Sequence, residues 1–108
     1  MRTRSAFTLA AAGLLLAAGL AEAKPAQCET SDEGRYACDF QVTDRKGSFR
    51  ISAPGRPTYR MEVDAPGQGF AFARLGGRDL ALPGPHRQSR QDPACWVSEA
   101  TGTRICAR

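Results

Sequence analysis

Histidine is almost missing from this chain of 108 residues: His86 stands alone. One imidazole rules out two-histidine acid–base chemistry and any histidine-rich metal centre. No G-x-S-x-G elbow, glycine-rich phosphate loop or H-E-x-x-H pair occurs, so the common hydrolase, nucleotide and zinc-protease signatures are absent. Blocks of like charge are missing too. The 15 Lys and Arg residues are scattered among 11 Asp and Glu, whereas a nucleic-acid surface gathers its cations; no nucleic-acid partner is expected. Arg45-Lys46, with Arg50 nearby, is the densest basic spot and reads as a solvated hairpin tip. From residue 24 onward no stretch sustains a 3.6-residue apolar period, and prolines at 54, 57, 66, 83, 85 and 93 cut every run short, which excludes a helical domain.

What is there begins with an export pattern. Arg2 and Arg4 precede an uncharged Ala- and Leu-rich stretch from Ser5 to Ala21, and Ala21-Glu22-Ala23 forms a small-x-small site before Lys24-Pro25. These are the parts of a helical, cleavable secretory signal. The apolar run is shorter than the ~20 residues that span a bilayer. The reading is therefore a signal peptide over residues 1–23 and a single mature domain over 24–108, exported to the periplasm or the extracellular space. No cysteine follows the cleavage site and no arginine pair precedes the apolar run, so neither a lipid anchor nor another stable membrane anchor is expected.

Cys28, Cys38, Cys95 and Cys106 form an even set in a short exported chain, the usual mark of a disulfide framework. Their wide spacing and the single histidine argue against a metal site, and no cofactor motif is present. Three connectivities exist, and local geometry favours one. A three-residue loop at Asp32-Glu33-Gly34 would set Ser31 opposite Arg35 and Cys28 opposite Cys38. A four-residue loop at Glu99-Ala100-Thr101-Gly102 would set Ser98 opposite Thr103, Trp96 opposite Ile105 and Cys95 opposite Cys106. The expected bridges are Cys28 to Cys38 and Cys95 to Cys106.

Between these hairpins the apolar residues recur with period two, the signature of half-buried strands. Tyr36, Cys38, Phe40 and Val42 make one run, Phe49 and Ile51 a second, and Tyr59, Met61 and Val63 a third. Asp44-Arg45-Lys46-Gly47 and Pro66-Gly67 read as turns. Phe70 and Phe72 continue the apolar register toward the core, with a bulge near Arg74 because Leu75 breaks it. Residues 79–82 could form a short further strand. The fold class is all-β: a small disulfide-stapled antiparallel barrel or sandwich of about six to eight short strands.

Candidate contact residues are few. Pro83 to Pro93 holds no apolar residue other than proline and is expected to run over the surface, presenting His86, Arg87 and Arg90 to an acidic partner. Trp96 is either core or, if the disulfide face of its hairpin is the buried one, an exposed anchor of the kind interfaces favour. Ser89, Asp92 and His86 lie close in sequence, but triads are assembled by folds and not by neighbours.

Tyr36-Ala37-Cys38-Asp39 and a cysteine close to the C-terminus are similar to the small periplasmic lysozyme-inhibitor domains, a resemblance that implies a stapled β-barrel. It covers only those residues, and the Ser-Gly-x-x-Tyr loop of that family is absent here, so no residue roles carry over. The function expected is a non-catalytic binding module, of an inhibitor or envelope-interaction kind, for a protein or other extracellular ligand. The alternative is a small secreted hydrolase in which His86 and a carboxylate share acid–base work.

Overall fold

The computed structural model describes residues 22–108. The expected signal peptide thus lies, up to residue 21, outside the described residues. Nine strands follow: β1 (Lys24–Thr30), β2 (Gly34–Val42), β3 (Phe49–Ser52), β4 (Thr58–Ala65), β5 (Gln68–Leu75), β6 (Arg78–Ala81), β7 (His86–Gln88), β8 (Cys95–Ser98) and β9 (Arg104–Ala107). All pair antiparallel. Eight of them close a barrel in the order β1-β2-β3-β4-β5-β7-β8-β9 and back to β1, while β6 hangs on the far half of β5 as a hairpin outside the closed ring. Among the described residues no helix is long and apolar enough to cross a membrane. The all-β expectation holds, and its open choice resolves to the barrel, which is also the fold the resemblance implied.

The two staples form as expected, Cys28 with Cys38 and Cys95 with Cys106. The second hairpin has the expected register, Cys95 facing Cys106 and Trp96 facing Ile105. In the first, the loop begins one residue earlier: Thr30 faces Gly34, so Cys28 faces Tyr36 and Cys38 faces Ala26. The bridge is therefore diagonal. Moving the partners by two keeps every side chain on its own face, which is why the pairing survives the slip.

The interior is filled by large residues from β2, β3, β4, β8 and β9 and by a row of small ones from β5. Phe49, Ile51, Tyr59, Met61, Val63, Trp96 and Ile105 are buried, as are Ala71 and Ala73. Across β4 and β5, Met61 faces Ala71, Tyr59 faces Ala73 and Val63 faces Gly69. This corrects the expected β5 register: Gly69, Ala71 and Ala73 point inward, and Phe70 points out, 43% exposed. The lumen of a small barrel has no room for a second aromatic row beside Tyr59, Met61 and Val63, so small residues are placed opposite large ones. Gly69 marks the tightest point, since a Cβ there would lie 2.7 Å from the Glu62 carbonyl oxygen. Leu75 keeps the alternation of Ala71 and Ala73. The irregularity expected near Arg74 lies instead on β4, between Val63 and Ala65.

Candidate binding site at the barrel mouth

One end of the barrel gathers the β2–β3 turn, the β4–β5 turn, the β7–β8 loop and the last residues of β9. The β2–β3 turn is built by Asp44, whose Oδ1 accepts the backbone N–H groups of Lys46 at 2.8 Å and Ser48 at 3.0 Å. The hydrogen bonds from Ser48 are the main reason the Asp44 carboxyl titrates below its ordinary range, with the Lys46 charge adding to them. Ser48 is itself buried, and its hydroxyl accepts the Val63 N–H at 2.8 Å, which ties the turn to β4.

Between these loops lies a cleft of about 270 Å³ with Phe40, Phe49, Val63 and Trp96 in its floor and Lys46, Gln88 and Pro93 on its rim. The floor aromatics are packed together, Phe40 on Phe49 at 5.3 Å and Phe49 on Trp96 at 6.3 Å between ring centroids. A broader, open cleft of about 720 Å³ adjoins it, sharing Gly67, Gln88 and Pro93 and adding Arg87, Ser89 and Arg90. The loop between them is braced. Gln88 donates from Nε2 to the Pro93 carbonyl at 2.8 Å, the Asp92 N–H donates to Ser89 Oγ at 3.1 Å, and the Cys95 N–H donates to the Asp92 carbonyl at 2.8 Å. Arg108 pairs with the Asp92 carboxylate.

The residues singled out in the sequence fall in three different places. Arg87 and Arg90 are exposed on the rim. Arg87 is paired with Glu99, whereas Arg90 makes no ion pair among the described residues. Trp96 is 7% exposed: it is a core residue whose edge contributes to the cleft floor. Both faces of its hairpin are covered, because Trp96 and Ile105 join the barrel core while Cys95 and Cys106 lie under the loop that Asp92 and Arg108 hold.

His86 departs most from expectation. The segment read as a surface connector contains β7, which closes the ring between β5 and β8, and period two turns His86 inward and Arg87 outward. His86 is 1% exposed, facing Gly69 and Ser98 across the ladder. Those small neighbours leave room for the ring. Neither ring nitrogen makes a hydrogen bond of ordinary geometry among the described residues. Burial pushes its pKa below the usual 6.5, the nearby Gly84 backbone only partly offsetting this, and no carboxylate contributes. The imidazole is thus a neutral core group. No cluster of three or more His, Cys, Asp or Glu residues placed to hold a metal ion occurs among the described residues.

The opposite end of the barrel is plugged. Arg56 lies over the Tyr36 ring at 4.5 Å and pairs with Glu33 at 3.1 Å. Burial raises the pKa of both Tyr36 and Tyr59, so this end holds neutral phenols. In the sequence Phe40 and Phe49 read as core, Lys46 reads as part of a solvated hairpin tip, and Gln88 lies unmarked in the expected surface segment. Their signal is their position at strand ends beside turns, which acquires meaning only once the ring order brings those ends together.

Comparison of the chain with protein-family models, with curated proteins and with solved structures finds no match.

Proposed function

We propose that the protein is an exported, non-catalytic binding module of an inhibitor or envelope-interaction kind, which takes an acidic, apolar-tipped segment of a protein partner into the barrel mouth. The observation that carries this reading is the convergence, at one end of a stapled ring, of an apolar floor of Phe40, Phe49, Val63 and Trp96 with a basic rim of Lys46, Arg87 and Arg90. An apolar anchor with a few oriented polar groups is the usual composition of a recognition site. Bracing of the loop by Gln88 and Asp92 favours binding, because a rim already ordered loses little entropy when a partner docks. Two disulfides suit an oxidising compartment, and the export pattern before Lys24 supports periplasmic or extracellular residence. The hydrolase alternative would need His86 exposed beside a carboxylate, and the burial of His86 does not favour it.

The test uses the oxidised protein as bait against native envelope and secreted fractions, beside a variant carrying Lys46→Gln and Arg90→Gln. A partner held by the first and released by the second, with affinity that falls as salt rises, is the expected result. Equal retention by both baits moves the site away from the mouth. Capture of nothing, together with a hydrolysis lost on His86→Leu, would replace the reading with the catalytic one.

A further inference from the structure

The order of strands in the ring decides how charge is laid out around the mouth. With closure in the order β1-β2-β3-β4-β5-β7-β8-β9, four strands lie between the β2–β3 turn and the β7–β8 loop in either direction, so the two face each other across the opening. Each carries an exposed cation, Lys46 on the turn and Arg90 on the loop, and neither enters an ion pair among the described residues. Arg87 is already paired with Glu99. No acidic residue lines either cleft. Asp44 fixes the turn, and Ser89, Asp92 and Arg108 fix the loop, so the separation of the two charges is set before a partner arrives.

Between the charges lies the apolar floor. Its cleft of about 270 Å³ falls below the ~300–1,000 Å³ of pockets that engulf a drug-sized ligand, a size suited to a single large side chain. Phe40 is the half-buried ring of the floor, stacked on buried Phe49 at 5.3 Å, so an entering aromatic ring continues an existing stack.

The backbone at the mouth selects against an extended occupant. Beside the cleft, β1 runs on past the end of β9. Gln27 and Arg108 exchange backbone hydrogen bonds at 2.9 and 2.8 Å, which makes Pro25 the next residue of β1 to face that way. Proline has no N–H to give, so the exposed edge of β1 cannot accept an added strand.

We propose that the mouth is a socket for one aromatic side chain at the tip of an acidic loop, with a carboxylate on each side of it in the partner's chain, one for Lys46 and one for Arg90. This rests on the reading of the mouth as a binding site, and adds to it the order acid, aromatic, acid and a bent backbone.

Trp96 is the only tryptophan of the chain and its edge lies in the floor, so its emission reports occupancy. The probe is a head-to-tail cyclised peptide containing Asp-Asp-Phe-Asp-Asp, titrated to ~1 mM against the oxidised protein. A saturable change in emission that weakens as salt rises is expected. Replacing the probe's Phe by Ala should weaken binding by at least ~10-fold, and replacing both acids on one side by Ser by about 3-fold. Lys46→Gln and Arg90→Gln should each weaken it by about 3-fold as well, whereas Arg78→Gln, at the far end of β5, should not. The linear peptide should bind more weakly than the cyclic one. A silent Trp96, equal binding of the Ala or one-sided probe, or tighter binding of the linear peptide overturns the proposal. A partner captured from envelope fractions and released by Lys46→Gln with Arg90→Gln, while Trp96 stays silent toward the probe, leaves the binding reading standing and removes this one alone.

Discussion

His86 is neutral because it is buried, and its effect on stability has a definite sign. In the unfolded chain the imidazole takes up a proton near pH 6.5, while in the fold it does so only at lower pH. As pH falls through 6.5 the unfolded state therefore binds more protons than the native one, and stability drops until the folded pKa is passed. Urea unfolding should show a lower midpoint at pH 5 than at pH 7, and His86→Leu should remove the part of that slope that His86 supplies. The variant should also be more stable at pH 7, by about 1 kcal/mol, because it deletes a buried polar ring whose nitrogens make no hydrogen bond of ordinary geometry beyond the partial contact with the Gly84 backbone. Gly69, across the ladder from His86, is constrained by space. Gly69→Ala would press a methyl group to 2.7 Å from the Glu62 carbonyl; the backbone of β4 or β5 must shift, at a cost of about 1–3 kcal/mol. Unfolding midpoints in urea at constant m-value would read that loss directly.

At the level of strands, the legible parts were those in which local chemistry and burial agree. Tyr59, Met61 and Val63 alternate in sequence and alternate in the barrel. The Glu99 to Gly102 loop fixes its hairpin from within, the Ser98 N–H donating to the Thr103 carbonyl at 2.9 Å. β5 was illegible because both of its alternating sets are apolar: Phe70 and Phe72 against Gly69, Ala71 and Ala73. Hydrophobicity favours the aromatics inside. The choice is made by β4, whose large residues already fill the space opposite, and Arg60 then shelters the displaced Phe72 ring from outside at 4.5 Å. β7 was missed for a related reason, since its three residues are polar and its role is closure of the ring. The inverted register makes a prediction that the sequence order of hydrophobicity would reverse. Phe70→Ser should cost no more than about 1 kcal/mol, while Ala71→Phe should cost about 3 kcal/mol or more by overpacking against Met61. Paired thermal or urea unfolding of the two variants decides between the registers.

The ring as a whole is uneven in strength. β4 and β5 are zipped along most of their length, as are β1 and β2, but β5 meets β7 only through Gln68 opposite Arg87 and Gly69 opposite His86, with the Gln88 N–H to Gly67 carbonyl bond at 2.9 Å as the last tie. Pro83 and Pro85, just before β7, have no N–H with which to extend the seam. Regions held by few buried backbone bonds open first, below the free energy of global unfolding. This seam also borders the mouth, because Gly67 and Gln88 line both clefts. The expected consequence is that native-state hydrogen exchange finds the Gln88 amide less protected than the amides of Ile51 and Met61 by about 100-fold or more, the equivalent of about 3 kcal/mol. After correction for intrinsic exchange, the gap should widen as pH falls, because protonating His86 favours the open seam. A ligand seated between Lys46 and Gln88 should narrow it, since a ligand that binds only the closed ring stabilises that ring by RT ln(1 + L/Kd), where L is the free ligand concentration, and this keeps rising with that concentration. Uniform protection around the barrel would mean that the seam is no weaker than the rest, and would remove the physical link between closure at β7 and binding at the mouth.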